Sequence, residues 1–200
     1  FGIVNIHMYK DIGRCFIAPI GVLYIQEIVQ YIMKNQGYDG ILFPARDGYL
    51  FYQMYERYKE QYGDRIKFPI AFYFLTSRKA ALKAAIQSDE MFSFLKSYLS
   101  RTSAVQLLKS TLGVGNIDNK NSDESDERYI DRYKDRIIYH SECERKKYIA
   151  YMEKNGISVK KKYLFCEVES RGTTQYALNH IFTKGLDGFY MSRSSEALYS

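Results

Sequence analysis

Three short apolar runs, each closed by a polar turn and followed by a stretch of helical period, constrain this chain more than any other feature. Gly40-Ile41-Leu42-Phe43-Pro44-Ala45 is too short for a helix and is bounded by turn residues, so it reads as a buried strand. Residues 68–75 and 162–166 read the same way, and 185–191 gives a fourth strand. Between them lie helical patterns: Leu50, Phe51, Met54, Tyr55 and Tyr58 after the first run, Ala80 to Ala85 after the second, and 175–182 after the third. Buried strands alternating with helices predict an α/β fold, a parallel sheet flanked by helices. A helix is also expected before the first strand, from about Pro19 through Ile32 and stopped by Gly37, with residues 1–14 as a lead-in. Residues 89–112 predict less regular helix. Residues 113–127 predict a mobile, solvent-exposed loop, and a long charged helix is expected over 128–154.

Composition narrows the class. With 200 residues, 46% apolar and 26% charged, and only 13 Gly and 3 Pro, the chain is neither disordered nor collagen-like. It suits a single α/β domain over 1–200. Cys15, Cys143 and Cys166 are too scattered for a disulfide framework or a CxxC zinc site, which predicts a reducing, cytoplasmic setting. No leader is visible, and the apolar stretch 15–33 is interrupted by Gln26, Glu27 and Gln30, so no transmembrane segment is expected. The chain opens on Phe1 rather than Met, which points to a piece of a larger multidomain protein. The net charge of +6 suits an anionic partner, but no dense basic patch with interleaved aromatics points to nucleic acid.

In open α/β sheets, ligands bind beyond the carboxyl ends of the strands. The three exits are Arg46-Asp47-Gly48, Thr76-Ser77-Arg78-Lys79, and Glu167 through Thr174. In the third, Gly172 permits a close backbone approach, while Ser170, Thr173 and Thr174 supply hydroxyls at a helix start. Glu167 and Glu169 can accept sugar hydroxyls or approach Mg²⁺. Arg46 and Arg78 suit phosphates, Asp47 suits a helix cap, and Gly48 a tight turn. The plain alternative stays open at each exit: Ser170 as a cap with solvated glutamates, an ordinary turn at 46–48, and a solvated pair at 78–79. His7, His140 and His180 have no spacing suited to a metal, and no GxSxG, HExxH, GxxxxGK[ST] or DxDxT motif occurs. The tyrosines of the first helix read as core.

The segment Ile41-Leu42-Phe43-Pro44-Ala45-Arg46-Asp47-Gly48-Tyr49-Leu50 resembles the "FLARDG" segment of a bacterial surface-polysaccharide family. Tyr73-Phe74-Leu75-Thr76-Ser77-Arg78 is similar to that family's Tyr-rich strand ending in Ser-Arg. Glu167-Val168-Glu169-Ser170-Arg171-Gly172-Thr173-Thr174-Gln175 is similar to its "D-I-G-x-x-G-T-x-Q", with Glu167 in place of Asp and Glu169 in place of Gly. Ile12-Gly13 and Pro19-Ile20-Gly21 match its opening. The resemblance implies a divergent phosphoribosyltransferase-like (Rossmann-like) fold beside a haloacid-dehalogenase-type phosphatase domain and glycosyltransferase domains. It implies transfer of ribofuranose-5-phosphate from phosphoribosyl pyrophosphate to an acceptor glycan, with Mg²⁺. Arg46, Asp47 and Gly48 would form the pyrophosphate loop, and Ser77 and Arg78 a second phosphate contact. Ser170, Arg171, Gly172, Thr173 and Thr174 would hold the ribose and its 5-phosphate. Glu167 would hold the ribose hydroxyls and steady the cationic ring, Glu169 is a further catalytic candidate, and Asp47 is the candidate base. A hydrolase-associated domain and a non-catalytic glycan-binding or scaffolding module are the other readings.

Overall fold

The computed structural model describes residues 8–45 and 47–193, the side chains of Ser170 and Arg193 excepted. Contacts divide the chain into two compact units. One comprises the chain up to Leu75 with Lys162–Arg171 and the segment from Asp187. The other comprises Thr76–Lys161 with Gly172–Leu186.

The first unit holds a four-stranded parallel sheet of order β2-β1-β3-β4, formed by β1 (Gly40–Pro44), β2 (Ile70–Phe74), β3 (Tyr163–Ser170) and β4 (Leu186–Arg193). Gly40 pairs with Ile70 on one side and Tyr163 on the other, and Leu42 with Phe72 and Phe165. Every residue of β1 is buried, as its unbroken apolar run requires of a central parallel strand. The α/β parallel sheet expected from the sequence is thus present.

Two helices cover one sheet face. The first spans Tyr9–Lys34 and presents Tyr24, Ile25, Ile28, Val29 and Ile32, spaced at three and four residues. The second, Gly48–Tyr62, presents Phe51 and Tyr55. Both pack on Ile41, Phe43, Ala71, Leu164 and Cys166. The first helix begins well before Pro19, correcting the expected lead-in. The Asp11 carboxylate accepts the Met8 N–H at 2.9 Å and marks its start. A π turn at Gly13–Ile17 then leads into the Pro19 stretch, where a missing donor is tolerated. By length and composition this helix is long and apolar enough to cross a membrane, and its second half belongs to the core just described. The buried tyrosines are satisfied: the Tyr55 hydroxyl donates to Pro69 O at 2.9 Å, and that of Tyr24 lies 3.0 Å from Glu167 O and 3.1 Å from Phe189 O.

The second unit is helical. The Arg78–Ala85 helix packs against Lys134–Lys154 and Thr173–Asn179 through Ala81, Leu82, Ala84 and Ala85. Serines cap its short helices. Ser77, Ser88, Ser103 and Ser125 each accept an N–H three residues on, at 3.1 to 3.3 Å. The helix expected over 128–154 is two, Asp126–Arg132 and Lys134–Lys154, broken at Tyr133. The polar 113–127 segment is tied down. Arg136 donates to Asn116 O and Gly115 O, Tyr129 donates to Asp118 O at 2.6 Å, and Lys120 pairs with Asp126 at 2.7 Å.

Candidate functional site

At the first strand exit, Arg46 lies outside the described residues. Asp47 is exposed at the N-cap position of the Gly48–Tyr62 helix, yet its side chain makes no cap bond, so the expected Asp cap is absent. Gly48 serves packing: a Cβ there would stand 2.8 Å from the Phe43 carbonyl carbon, which is backbone and cannot swing aside. The glycine therefore lets the helix start lie directly against β1.

The third exit differs from expectation in its boundary. β3 continues through Glu167, Val168, Glu169 and Ser170, so these are strand residues rather than a loop. Val168 packs on the core beneath the two covering helices. Glu167 and Glu169, two residues apart, project from the opposite face and from the same side as each other. Gly172, rather than Ser170, holds the N-cap position of the next helix, in the left-handed conformation with φ 78°. Arg171 and Gly172 are all the connection that remains before the Thr173–Asn179 helix, and the side chains of Thr173 and Thr174 are buried. Gln175 donates to Leu186 O at 2.7 Å, a structural tie.

The second exit is the most organised. Thr76 is buried and shares a hydrogen bond with the Tyr148 hydroxyl. Burial raises the Tyr148 phenol well above its ordinary value, so it stays protonated. Ser77 caps the Arg78–Ala85 helix, and Arg78 and Lys79 occupy its first two positions with no acid in the first turn. That is electrostatically the wrong end for cations, since the helix N-terminus carries partial positive charge.

Arg78 lines a cavity of about 210 Å³ together with Ser97, Tyr98, Ser100, Arg101 and Thr173. Residues expected at two separate strand exits, Arg78 and Thr173, therefore border one space. Among the described residues, no carboxylate lines it. Its two guanidiniums offer planar, charge-assisted donors of the kind that hold phosphate, beside four hydroxyls. Arg101, Ser97 and Ser100 had no part in the sequence reading. Their only signal was the run Ser97-Tyr98-Leu99-Ser100-Arg101, which has hydroxyls and a cation in a stretch too irregular for a clean helix. Ser77 lines a different cavity.

Among the described residues, no group of three or more His, Cys, Asp or Glu side chains is placed to hold a metal ion. His140 Nε2 bonds Leu112 O at 3.0 Å, and the buried Ser141 hydroxyl accepts from Gln87 at 3.0 Å, so both side chains are engaged in structural hydrogen bonds. Cys166 is fully buried, which holds its thiol protonated.

No protein-family model matches the chain, and no curated protein matches it in sequence.

Proposed function

We propose that the protein is a phosphoribosyltransferase-like glycosyltransferase module, which transfers ribofuranose-5-phosphate from phosphoribosyl pyrophosphate to an acceptor sugar. The observation that carries this reading is the Arg78–Arg101–Thr173 cavity, which is cationic and, among the described residues, free of lining carboxylates. The parallel sheet is the coarse architecture that such chemistry uses. The ordered motifs around Asp47, Ser77-Arg78 and Gly172-Thr173 supply the resemblance. In this reading Arg78 and Arg101 receive a phosphate of the donor, and their main effect is neutralising charge on the departing pyrophosphate. The described residues do not fit a resident Mg²⁺ cage. Mg²⁺ would arrive with the donor and supply charge neutralisation.

A second reading, a non-catalytic glycan-binding module, is favoured by one observation. The extension of β3 through Ser170 leaves a connection of two residues, short for wrapping a 5-phosphate. The experiment is thermal denaturation with phosphoribosyl pyrophosphate, with and without Mg²⁺. A melting temperature that climbs with donor concentration is expected, and Arg78→Ala and Arg101→Ala should each abolish the climb. An unchanged melting temperature under both metal conditions eliminates the transferase reading and leaves the binding module.

A further inference from the structure

A second cavity of the helical unit, of about 360 Å³, has Lys79 and Lys83 on one wall and Glu144, Lys147, Tyr148 and Tyr151 on the other. Glu144 is matched with Lys147 at 2.9 Å, and that bond holds the Glu144 carboxyl below its ordinary range. Lys79 and Lys83 therefore add two positive charges that the cavity's own lining does not offset. They stand four residues apart on one helix face, where like charges repel. Lys79 also sits in the first helical turn, against the dipole.

The fold makes room for the second of them. Gly113 leaves room for the Lys83 ammonium, since a Cβ at that position would lie 3.0 Å from Nζ. The tyrosine wall is fixed. Tyr148 and Tyr151 stack at 6.1 Å with 22° between their planes, and the Tyr148 hydroxyl is anchored on Thr76. A clustered pair of cations beside a flat aromatic wall matches a ligand that carries both a phosphate and a ring.

We propose that this groove binds a ring-bearing phosphate, a nucleotide or a sugar phosphate, at a site distinct from the Arg78–Arg101 cavity. Lys79 and Lys83 meet the phosphate, and the tyrosine wall receives the ring. The proposal does not rest on the transferase reading and survives its failure.

Isothermal titration calorimetry at constant ionic strength tests it with adenosine 5′-monophosphate, glucose 1-phosphate and inorganic phosphate. At least one ring-bearing phosphate should bind about tenfold more tightly than inorganic phosphate, and the tighter of the two names the source. Lys79→Ser and Lys83→Ser should each cost about tenfold of that affinity, whereas Arg101→Ala should leave it unchanged. Lys79 is exposed, so Lys79→Ser keeps the test usable if Lys83→Ser loses its helical circular dichroism. Ring-bearing phosphates that bind no better than inorganic phosphate, or that bind both lysine variants as well as the parent, would overturn the proposal.

Discussion

The sheet unit and the helical unit reach order by partly different means. In the sheet unit, large side chains such as Phe43, Phe74, Tyr55 and Phe165 are fully buried, and buried hydroxyls reach main-chain carbonyls. In the helical unit, Tyr129, Ile86, Met91 and Leu95 are fully buried as well, and serines cap short helices of seven to nine residues that also make small contacts such as Ala81 and Ala84. Packing of large side chains serves both units. The helical unit also keeps cations at a helix start and beside cavities, where they lower stability and suit anions. The difference teaches where a ligand can be accommodated: in the unit whose electrostatics are unfinished without one.

The contrast can be broken most directly in the sheet. Phe43→Ala removes a ring with no exposed surface and is expected to cost about 3–5 kcal/mol, read as a lower midpoint in urea. Gly48→Ala comes next. The added methyl meets Phe43 backbone at 2.8 Å, and about 1–3 kcal/mol of lost stability is expected from the same measurement. In the helical unit, Ser77→Ala deletes one cap and should cost only about 1 kcal/mol. If it costs as much as Phe43→Ala, the two units do not differ as described.

Arg78→Glu sharpens the comparison because its effects should have opposite signs. Placing an acid at the first position of the Arg78–Ala85 helix should raise ligand-free stability by about 0.3–1 kcal/mol, while the stabilisation by phosphoribosyl pyrophosphate disappears. A fall in ligand-free melting temperature would show that Arg78 serves the fold.

The smallest effect concerns pH. Hydrogen bonds from Lys134 to Asp89, from Tyr176 to Glu90 and from Lys120 to Asp126 all hold these carboxyls below their ordinary range. A depressed folded-state value means that the unfolded chain binds the proton more readily. The contribution is therefore complete above the ordinary carboxylate range of roughly pH 4 and is lost as pH falls through the lower folded values. These three groups belong to the helical unit. In the sheet unit, burial acts to raise Asp187, but hydrogen bonds from Tyr38 and Lys162 outweigh it and hold that carboxyl low as well. Acid denaturation should therefore appear as a step in circular dichroism to which both units contribute. The step should shrink in Lys120→Met and Lys134→Met at low salt.

Much of the sheet was legible in the residues. β1 was nearly complete as an apolar run, and the stripe from Tyr24 to Ile32 announced a buried helix face. Errors gathered where local chemistry and tertiary position disagree. Glu167 to Ser170 look like a turn because they are polar, yet pairing carries β3 through them. Residues 1–14 look like a lead-in and the helix looks to start near Pro19, yet a π turn at Gly13–Ile17 joins the two stretches. Asp47 has the chemistry of a cap without making the bond. Arg78 was legible as a candidate from its place after a strand, whereas Arg101 was not, because no local pattern singles it out.

Strand content, parallel pairing and the helix that fills the core follow from side-chain period and size, which are properties of neighbouring residues along the chain. Which cations share a cavity depends on how the Arg78–Ala85, Lys134–Lys154 and Thr173–Asn179 helices pack, and packing is decided by the shapes of surfaces far apart in the polypeptide. Period is written locally, whereas proximity between Arg78, Arg101 and Thr173 exists only once the apolar faces beneath them have closed.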